Sequence, residues 1–249
     1  MRRKISLLLV LSAVLFLSSC LDSGDQSYLG RDEYSYITET ETGIVYARTT
    51  GGNYITSSKI SLLTPGTTAF LTYQITEETE VITVDENMII HKVALGADPI
   101  EIDQEQLQQI AAPETDTVYF ESLIAPPTWI THQSLYYGDR WPFEYRYNAK
   151  KGEYVRVSFY KVLEDNHPEN LNADVLIDVR IEKFGTPEAG AKEELKGDLI
   201  VANMSMLRPM PSVDSQETKQ LNIKFRFFRA DRKGDLHISN SPITITVRK

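Results

Sequence analysis

The chain has 249 residues, of which 26 are basic and 35 acidic, giving a net charge of −9, and 41% of its residues are hydrophobic. That share supports a packed core and excludes a wholly disordered chain. Beyond Arg2–Lys4 no basic patch stands out, so a nucleic-acid partner is not expected, because phosphates are held by clustered Lys and Arg. The single cysteine, Cys20, excludes a disulfide framework and a cysteine-ligated metal.

The first stretch to read is the N-terminus. Arg2, Arg3 and Lys4 are cationic, and Ile5 to Leu17 is apolar apart from Ser6 and Ser12. A run of about thirteen residues is short of the roughly twenty that span a bilayer, so residues 1–19 read as an export signal rather than a membrane anchor. Leu17-Ser18-Ser19-Cys20 resembles the lipobox of bacterial lipoproteins. The resemblance implies that Cys20 is acylated, becomes the new N-terminus and holds the protein on the outer membrane, at its periplasmic or outer face. The alternative is an ordinary signal peptide with an incidental cysteine. A lone thiol in an exported domain is unusual, and lipidation accounts for it. Several acyl chains at about 0.8 kcal/mol per buried methylene make a durable anchor.

Removal of residues 1–19 takes away three of the 26 basic residues and none of the 35 acidic ones, leaving 230 residues with a charge of −12. Residues 20–30 are polar and form a tether. Asp22 and Asp25 in it bear a faint likeness to a surface-export signal.

From Arg31 the pattern is all-β. Glu33–Ile37 and Gly43–Arg48 are strand-like, and Thr50-Gly51-Gly52-Asn53 is a hairpin turn. Tyr54–Leu63 returns. Thr64-Pro65-Gly66-Thr67 has the Pro and Gly positions of a type II turn. With Phe70–Ile75, Val81–Val84 and Met88–Leu95, the five or six short strands of residues 31–112 fit a small barrel or a compact sandwich. Asp103-Gln104-Glu105-Gln106 matches a helix N-cap with glutamine three residues on, so the spacing predicts one short helix in the linker.

Residues 113–249 predict an antiparallel β-sandwich. Phe143, Tyr145 and Tyr147 share one face, as do Val155, Val157 and Phe159, and Leu221, Ile223, Phe225 and Phe227. The cleanest strand places Val175, Ile177, Val179 and Ile181 inward, with Asp178 and Arg180 outward in solvent. Residues 185–197 read as a polar loop.

Gly43-Ile-Val-Tyr-Ala-Arg-Thr-Thr-Gly-Gly-Asn53, Thr64-Pro-Gly-Thr-Thr-Ala-Phe-Leu-Thr-Tyr-Gln-Ile75, Leu135-Tyr-Tyr-Gly138 and Phe143-Glu-Tyr-Arg-Tyr-Asn148 follow the lipobox in order. Together they resemble the NigD-like lipoproteins of Bacteroidota-type bacteria. The resemblance implies an OB-like N-terminal barrel and a C-terminal β-sandwich. It also implies a non-enzymatic role, proposed for the founding member to be immunity to a bacteriocin, and it supplies no functional residues.

Searching for chemistry finds little. His91, His132, His167 and His237 show no ligand spacing, and no G-x-S-x-G elbow exists. No catalytic, metal-binding or cofactor residues are therefore expected. The oxygen-rich stretch Asp165–Asp174 lacks the glycine and closing glutamate of a calcium loop. Met204, Met206 and Met210 read as core filler before copper ligands. Trp129, Tyr136, Tyr137, Trp141, Phe143, Tyr145 and Tyr147 are the densest aromatic group, suited either to core packing or to a surface that anchors a protein or stacks on sugar. Of these, Trp129, Tyr136, Tyr137 and Trp141 are the candidate partner-binding residues. Asp116-Thr117-Val118 is similar to a short O-glycosylation acceptor, with Thr117 as the modified residue.

Two readings follow: an envelope lipoprotein that binds an unknown protein or glycan without catalysis, or an envelope glycan hydrolase with scattered carboxylates. Both require export. Substituting Cys20→Ser is expected to abolish incorporation of a fatty-acid analogue and to move the protein out of the membrane fraction; lipid label retained on the variant would contradict the lipobox assignment.

Overall fold

The computed structural model describes residues 27–114, 118–124, 139–163, 172–207, 218–232 and 235–248. Helix among them is limited to single 3-10 turns at Ile60–Leu62, Ser205–Leu207 and Ala230–Arg232. The fold is all-β.

The first sheet contains β1 (Tyr28–Glu39), β2 (Val45–Thr49), β3 (Tyr54–Thr56), β4 (Thr68–Ile75), β5 (Val81–Asp85), β6 (Met88–Lys92) and β7 (Ile100–Glu101), in the order β5-β6-β3-β2-β1-β4-β7. It curls into a half-barrel around Ile37, Ala47, Ile55, Ile60, Leu71 and Tyr73. Curling needs a break in β1, supplied by a bulge between Gly30 and Glu33 with Asp32 at φ 43°; bulges increase local twist and bend a strand. The expected type II turn forms, with Gly66 at φ 91°, a conformation that costs a side-chain-bearing residue.

The second sheet contains β8 (Gln104–Gln108), β9 (Phe120–Ile124), β10 (Arg140–Lys150), β11 (Glu153–Lys161), β12 (Val175–Gly185), β13 (Glu193–Asn203), β14 (Thr218–Phe228), β15 (Leu236–Ile238) and β16 (Ile243–Arg248). Its order is β15-β14-β12-β11-β8-β13-β10-β9, with β16 also on β14. Strands β9, β10 and β13 form one leaf and β11, β12 and β14–β16 the other. The leaves face each other across a core of Phe143, Phe159, Ile177, Val179, Ile223 and Phe225. The Phe143 ring lies 4.8 Å from Phe159 and 5.0 Å from Phe225, tilted or edge-on as aromatic quadrupoles prefer. The sequence stretch 185–197 is shorter as a loop than expected, because β12 runs on to Gly185 and β13 starts at Glu193.

The expected linker helix is absent. Gln104–Gln108 is strand β8 instead, parallel to β13 through Gln104–Gln106 and to β11 through Leu107 and Gln108. A one-turn capping pattern contributes little by itself, because short helices nucleate poorly. Two strands with open edges offer main-chain bonds on both sides, and Leu107 is buried in the sandwich core as a result. The chain thus passes from one sheet to the other between Glu101 and Gln104.

A polar rivet holds the sheets together. Tyr34 donates its hydroxyl to the carbonyl of Arg140 at 2.9 Å. Arg140 in turn donates Nε to the Gly66 carbonyl at 2.8 Å and Nη1 to Asn203 Oδ1 at 2.6 Å. Tyr34, Ile102 and Val201 bury a small apolar patch beneath it.

Asp178 and Arg180 also depart from expectation. They occupy the outer face of β12, as the alternation requires, but that face is covered: the two residues are 4% and 6% exposed. Asp178 accepts from Arg180 Nη2 at 3.0 Å and from Arg226 Nε and Nη2 at 2.6 and 2.9 Å. Arg180 reaches the Pro113 carbonyl at 3.1 Å and lies 5.0 Å above the Phe228 ring. The segment that follows β8 therefore lies across the sheet, and a small cavity of about 140 Å³ remains between Ile110–Ala112, Tyr160, Asp178 and Arg226. Alternation identifies a face; it carries no information about a distant segment that covers it. In chemical denaturation, Ile177→Ala should cost about 2 to 5 kcal/mol. Asp178→Ala should cost about 3 to 5 kcal/mol, because it strands Arg180 in a buried site. A loss under about 0.5 kcal/mol for Asp178→Ala, the value expected of a surface residue, would show that the outer face is open.

Candidate functional site

The two leaves of the sandwich do not meet along their full length. At one end β8 fills the seam between β11 and β13. At the other, Lys196 Nζ donates to the Lys150 and Glu153 carbonyls at 3.1 and 3.0 Å and ties β13 to the β10–β11 turn. Between these ties lies an opening of about 290 Å³, lined by Asp103, Glu105, Tyr145, Tyr154–Val157 and Asp198–Ile200.

Register explains its chemistry. Asp198 pairs with Tyr145 and Lys196 with Tyr147 across β13 and β10. Directly opposed residues on antiparallel strands project to the same face, with Cβ atoms about 5 Å apart. Tyr145 and Tyr147 point into the sandwich, so Asp198 and Lys196 share their face. The inner face of β13 thus changes from apolar at Ala202 and Ile200 to charged at Asp198 and Lys196, where the seam opens. Asp198 Oδ1 accepts the Leu199 amide at 2.8 Å.

At the floor, Tyr145 is 5% exposed and stacks on Tyr147 at 5.8 Å. Among the described residues neither hydroxyl has a hydrogen-bond partner. The Tyr145 hydroxyl is held well above the ordinary tyrosine range by burial first, then by the negative charges of Asp198 and Asp103. Burial and Asp198 shift Tyr147 in the same direction. Both stay protonated at neutral pH, each with a donor free for a ligand. The rim carries Tyr154, stacked on Phe184 at 5.8 Å, and Arg156, whose Nε is 3.5 Å from Glu105 Oε1.

A second polar cluster is already satisfied. The Glu33 carboxylate accepts from the hydroxyls of Tyr28, Thr50 and Tyr73 at 3.1, 3.1 and 2.8 Å, and from the Gly51 amide. It fixes the bulge of β1 and offers no free acceptor geometry to a ligand.

The sequence candidates fare unevenly. Trp141 is 1% exposed and packs edge-on against Phe225 at 6.4 Å, so it serves the core and presents no surface to a partner. Cys20, Thr117, Trp129, Tyr136 and Tyr137 lie outside the described residues. No group of three or more His, Cys, Asp and Glu able to hold a metal occurs among the described residues. His237 packs on Phe227 at 5.2 Å, and its pKa is lowered by burial and by Arg229 and Arg232. Met204 is in the core whereas Met206 is half exposed, so the two do not converge as ligands. Tyr145 belonged to the aromatic group singled out in the sequence, but Asp103 and Glu105 stood out only within a helix-capping pattern, and Asp198 and Arg156 did not stand out. Only the pairing register and the end of β8 bring them together.

No protein-family model matches the chain, and no curated protein matches it. Solved structures do. An uncharacterized protein from Parabacteroides merdae aligns over 87% of this chain and 99% of its own, at TM-score 0.52 and 11% identity. The two share a fold. Neighbours at lower scores include a NigD-like immunity protein from Bacteroides caccae, with TM-score 0.46, 12% identity and 88% and 96% coverage. They also include a candidate lipoprotein from Bacteroides fragilis, with TM-score 0.45, 12% identity and 90% and 97% coverage.

The unpartnered floor hydroxyl yields a stability test. Tyr34→Phe, which removes a bond to the Arg140 carbonyl, should cost about 1 kcal/mol, whereas Tyr145→Phe should stay within about 0.5 kcal/mol. Equal losses in parallel denaturation curves would mean that the Tyr145 hydroxyl has a structural partner.

Proposed function

We propose that this chain is a lipoprotein of the cell envelope, held on the outer membrane through Cys20, whose folded part binds a macromolecular partner and catalyses no reaction. The observation that carries this reading is the seam opening, where aromatic, carboxylate and guanidinium groups converge on a site that the fold leaves unfilled. Aromatic hydroxyls in an opening with charged rim residues suit recognition. The resemblance to NigD-like lipoproteins favours a protein as the partner, and an immunity-type role, such as capture of a bacteriocin, is its specific form.

A second reading has one observation in its favour. Asp103 and Asp198 both line the opening, and paired carboxylates about a cleft are the equipment of glycan hydrolysis. Under that reading the purified protein releases reducing ends from envelope polysaccharide, and Asp198→Asn abolishes the release.

Site-specific photo-crosslinking in cells tests the binding reading. A photoreactive residue in place of Tyr154, on the rim, should give a discrete adduct of higher mass. The same residue in place of Leu62, highly exposed on the other sheet, should give none. Adducts of equal yield at both positions, or none at Tyr154, would contradict a partner-binding site at the seam.

A further inference from the structure

The chemistry of the seam opening narrows what enters it. Its acceptors are three carboxylates, Asp103, Glu105 and Asp198, and the oxygens of two phenols. Its one cationic side chain, Arg156, is committed to Glu105 at 3.5 Å on the rim. Asp198 keeps Oδ2 free, since Oδ1 takes the Leu199 amide. Tyr145 is nine-tenths buried and unpartnered among the described residues, and it faces Asp198 across the β10–β13 pairing. The Tyr145 ring is buried while its hydroxyl lines the opening, where water, an ion or a ligand can bond to it. Acceptors in excess of donors, in a chain of mature charge −12, call for a ligand that brings both donors and positive charge.

We propose that the opening between β11 and β13 binds the ammonium group of a lysine side chain projecting from a protein partner, held between Asp198 Oδ2 and the Tyr145 hydroxyl oxygen. This rests on the partner-binding reading and names the chemistry of its contact. A lysine fits for three reasons. Its compact ammonium has three donors and no acceptor, which matches a site of carboxylate and phenol oxygens. Its four-carbon stem can lie along the exposed Tyr154 ring at the rim. The planar fork of an arginine is best met by a carboxylate with both oxygens turned toward it, and Asp198 turns Oδ1 to the Leu199 amide.

The test uses the mature full-length protein with isotope-labelled tyrosine and follows the Tyr145 ring signals by NMR. Four probes are titrated: the peptide acetyl-Lys-Lys-Lys-amide, its Nζ-acetylated form, the arginine counterpart, and spermidine. Saturable shifts of Tyr145 with the lysine peptide are expected, with affinity weaker by about tenfold or more for the acetylated peptide, the loss of one charge-assisted hydrogen bond. Asp198→Asn preserves the bond to Leu199 and removes the charge, and it should weaken the lysine peptide to a similar degree. Tyr145→Phe, followed through the Tyr147 signals, should weaken it less but measurably. Equal response to the acetylated peptide, or unchanged affinity in Asp198→Asn, would overturn the proposal. So would tighter binding of the arginine peptide or of spermidine, which would assign the site to another cation. Crosslinking at Tyr154 with no lysine response would refute the ammonium contact alone and leave the partner-binding reading standing.

Discussion

The architecture depends on one five-residue strand. β8 inserts parallel between β11 and β13, bonding to β13 through its first three residues and to β11 through its last two. Each neighbour would otherwise present a free edge at the end of its leaf, and free edges attract other chains. By filling both, β8 turns two leaves into one continuous sheet of nine strands. It also fixes the first sheet to the second, since the chain leaves β7 only two residues before β8 begins. The amide of Val201 donates to the carbonyl of Asp103 at 2.9 Å just as the chain enters the seam.

The same insertion creates the candidate site. β8 is shorter than the strands it joins, so the seam remains open upstream of Gln104 until Lys196 closes it from the far side. The opening exposes an inner sandwich face that is normally apolar. A protein that needed only stability would place leucine or valine at Asp198, opposite Tyr145. A carboxylate there, exposed at the open seam, sets an acceptor with charge beside two phenols that have no partner among the described residues, a departure from apolar patterning of the kind that binding sites carry. The arrangement differs from the Asp178 cluster, where every carboxylate oxygen has a guanidinium partner and the charges lock a covering segment onto the sheet.

Much of this fold was legible in the sequence, and the boundary of legibility is physical. Alternation in β10, β12 and β14 marked the inward faces because one leaf's apolar stripe is a local property of its strand. Phe143, Tyr145, Ile177, Val179, Ile223 and Phe225 all lie where that pattern puts them. The turn at Gly66 was readable from its Pro-Gly pair for the same reason. What was missed is long-range. β8 carried a helix-capping pattern, and its strand conformation is imposed by partners about 50 and 95 residues further along the chain. Asp178 looked like a surface residue because the segment that covers it belongs to another part of the chain. Asp198 became notable only through its register with Tyr145, and no single-strand pattern encodes register between strands so far apart.

Backbone hydrogen exchange over Gln104–Gln108 and Tyr154–Leu199 measures the decisive feature. If β8 closes the seam and the opening lies beyond it, amides of Gln104–Gln108 that bond to β11 or β13 exchange only through unfolding of the sandwich, as slowly as those of Ile177 and Val179. Amides of Tyr154–Val157 and Gly197 that face the opening exchange orders of magnitude faster, while their neighbours bonded to β12 and β10 stay protected. Rapid exchange throughout Gln104–Gln108, as for a frayed linker or a marginal helix, would contradict the strand and with it the site that its end defines.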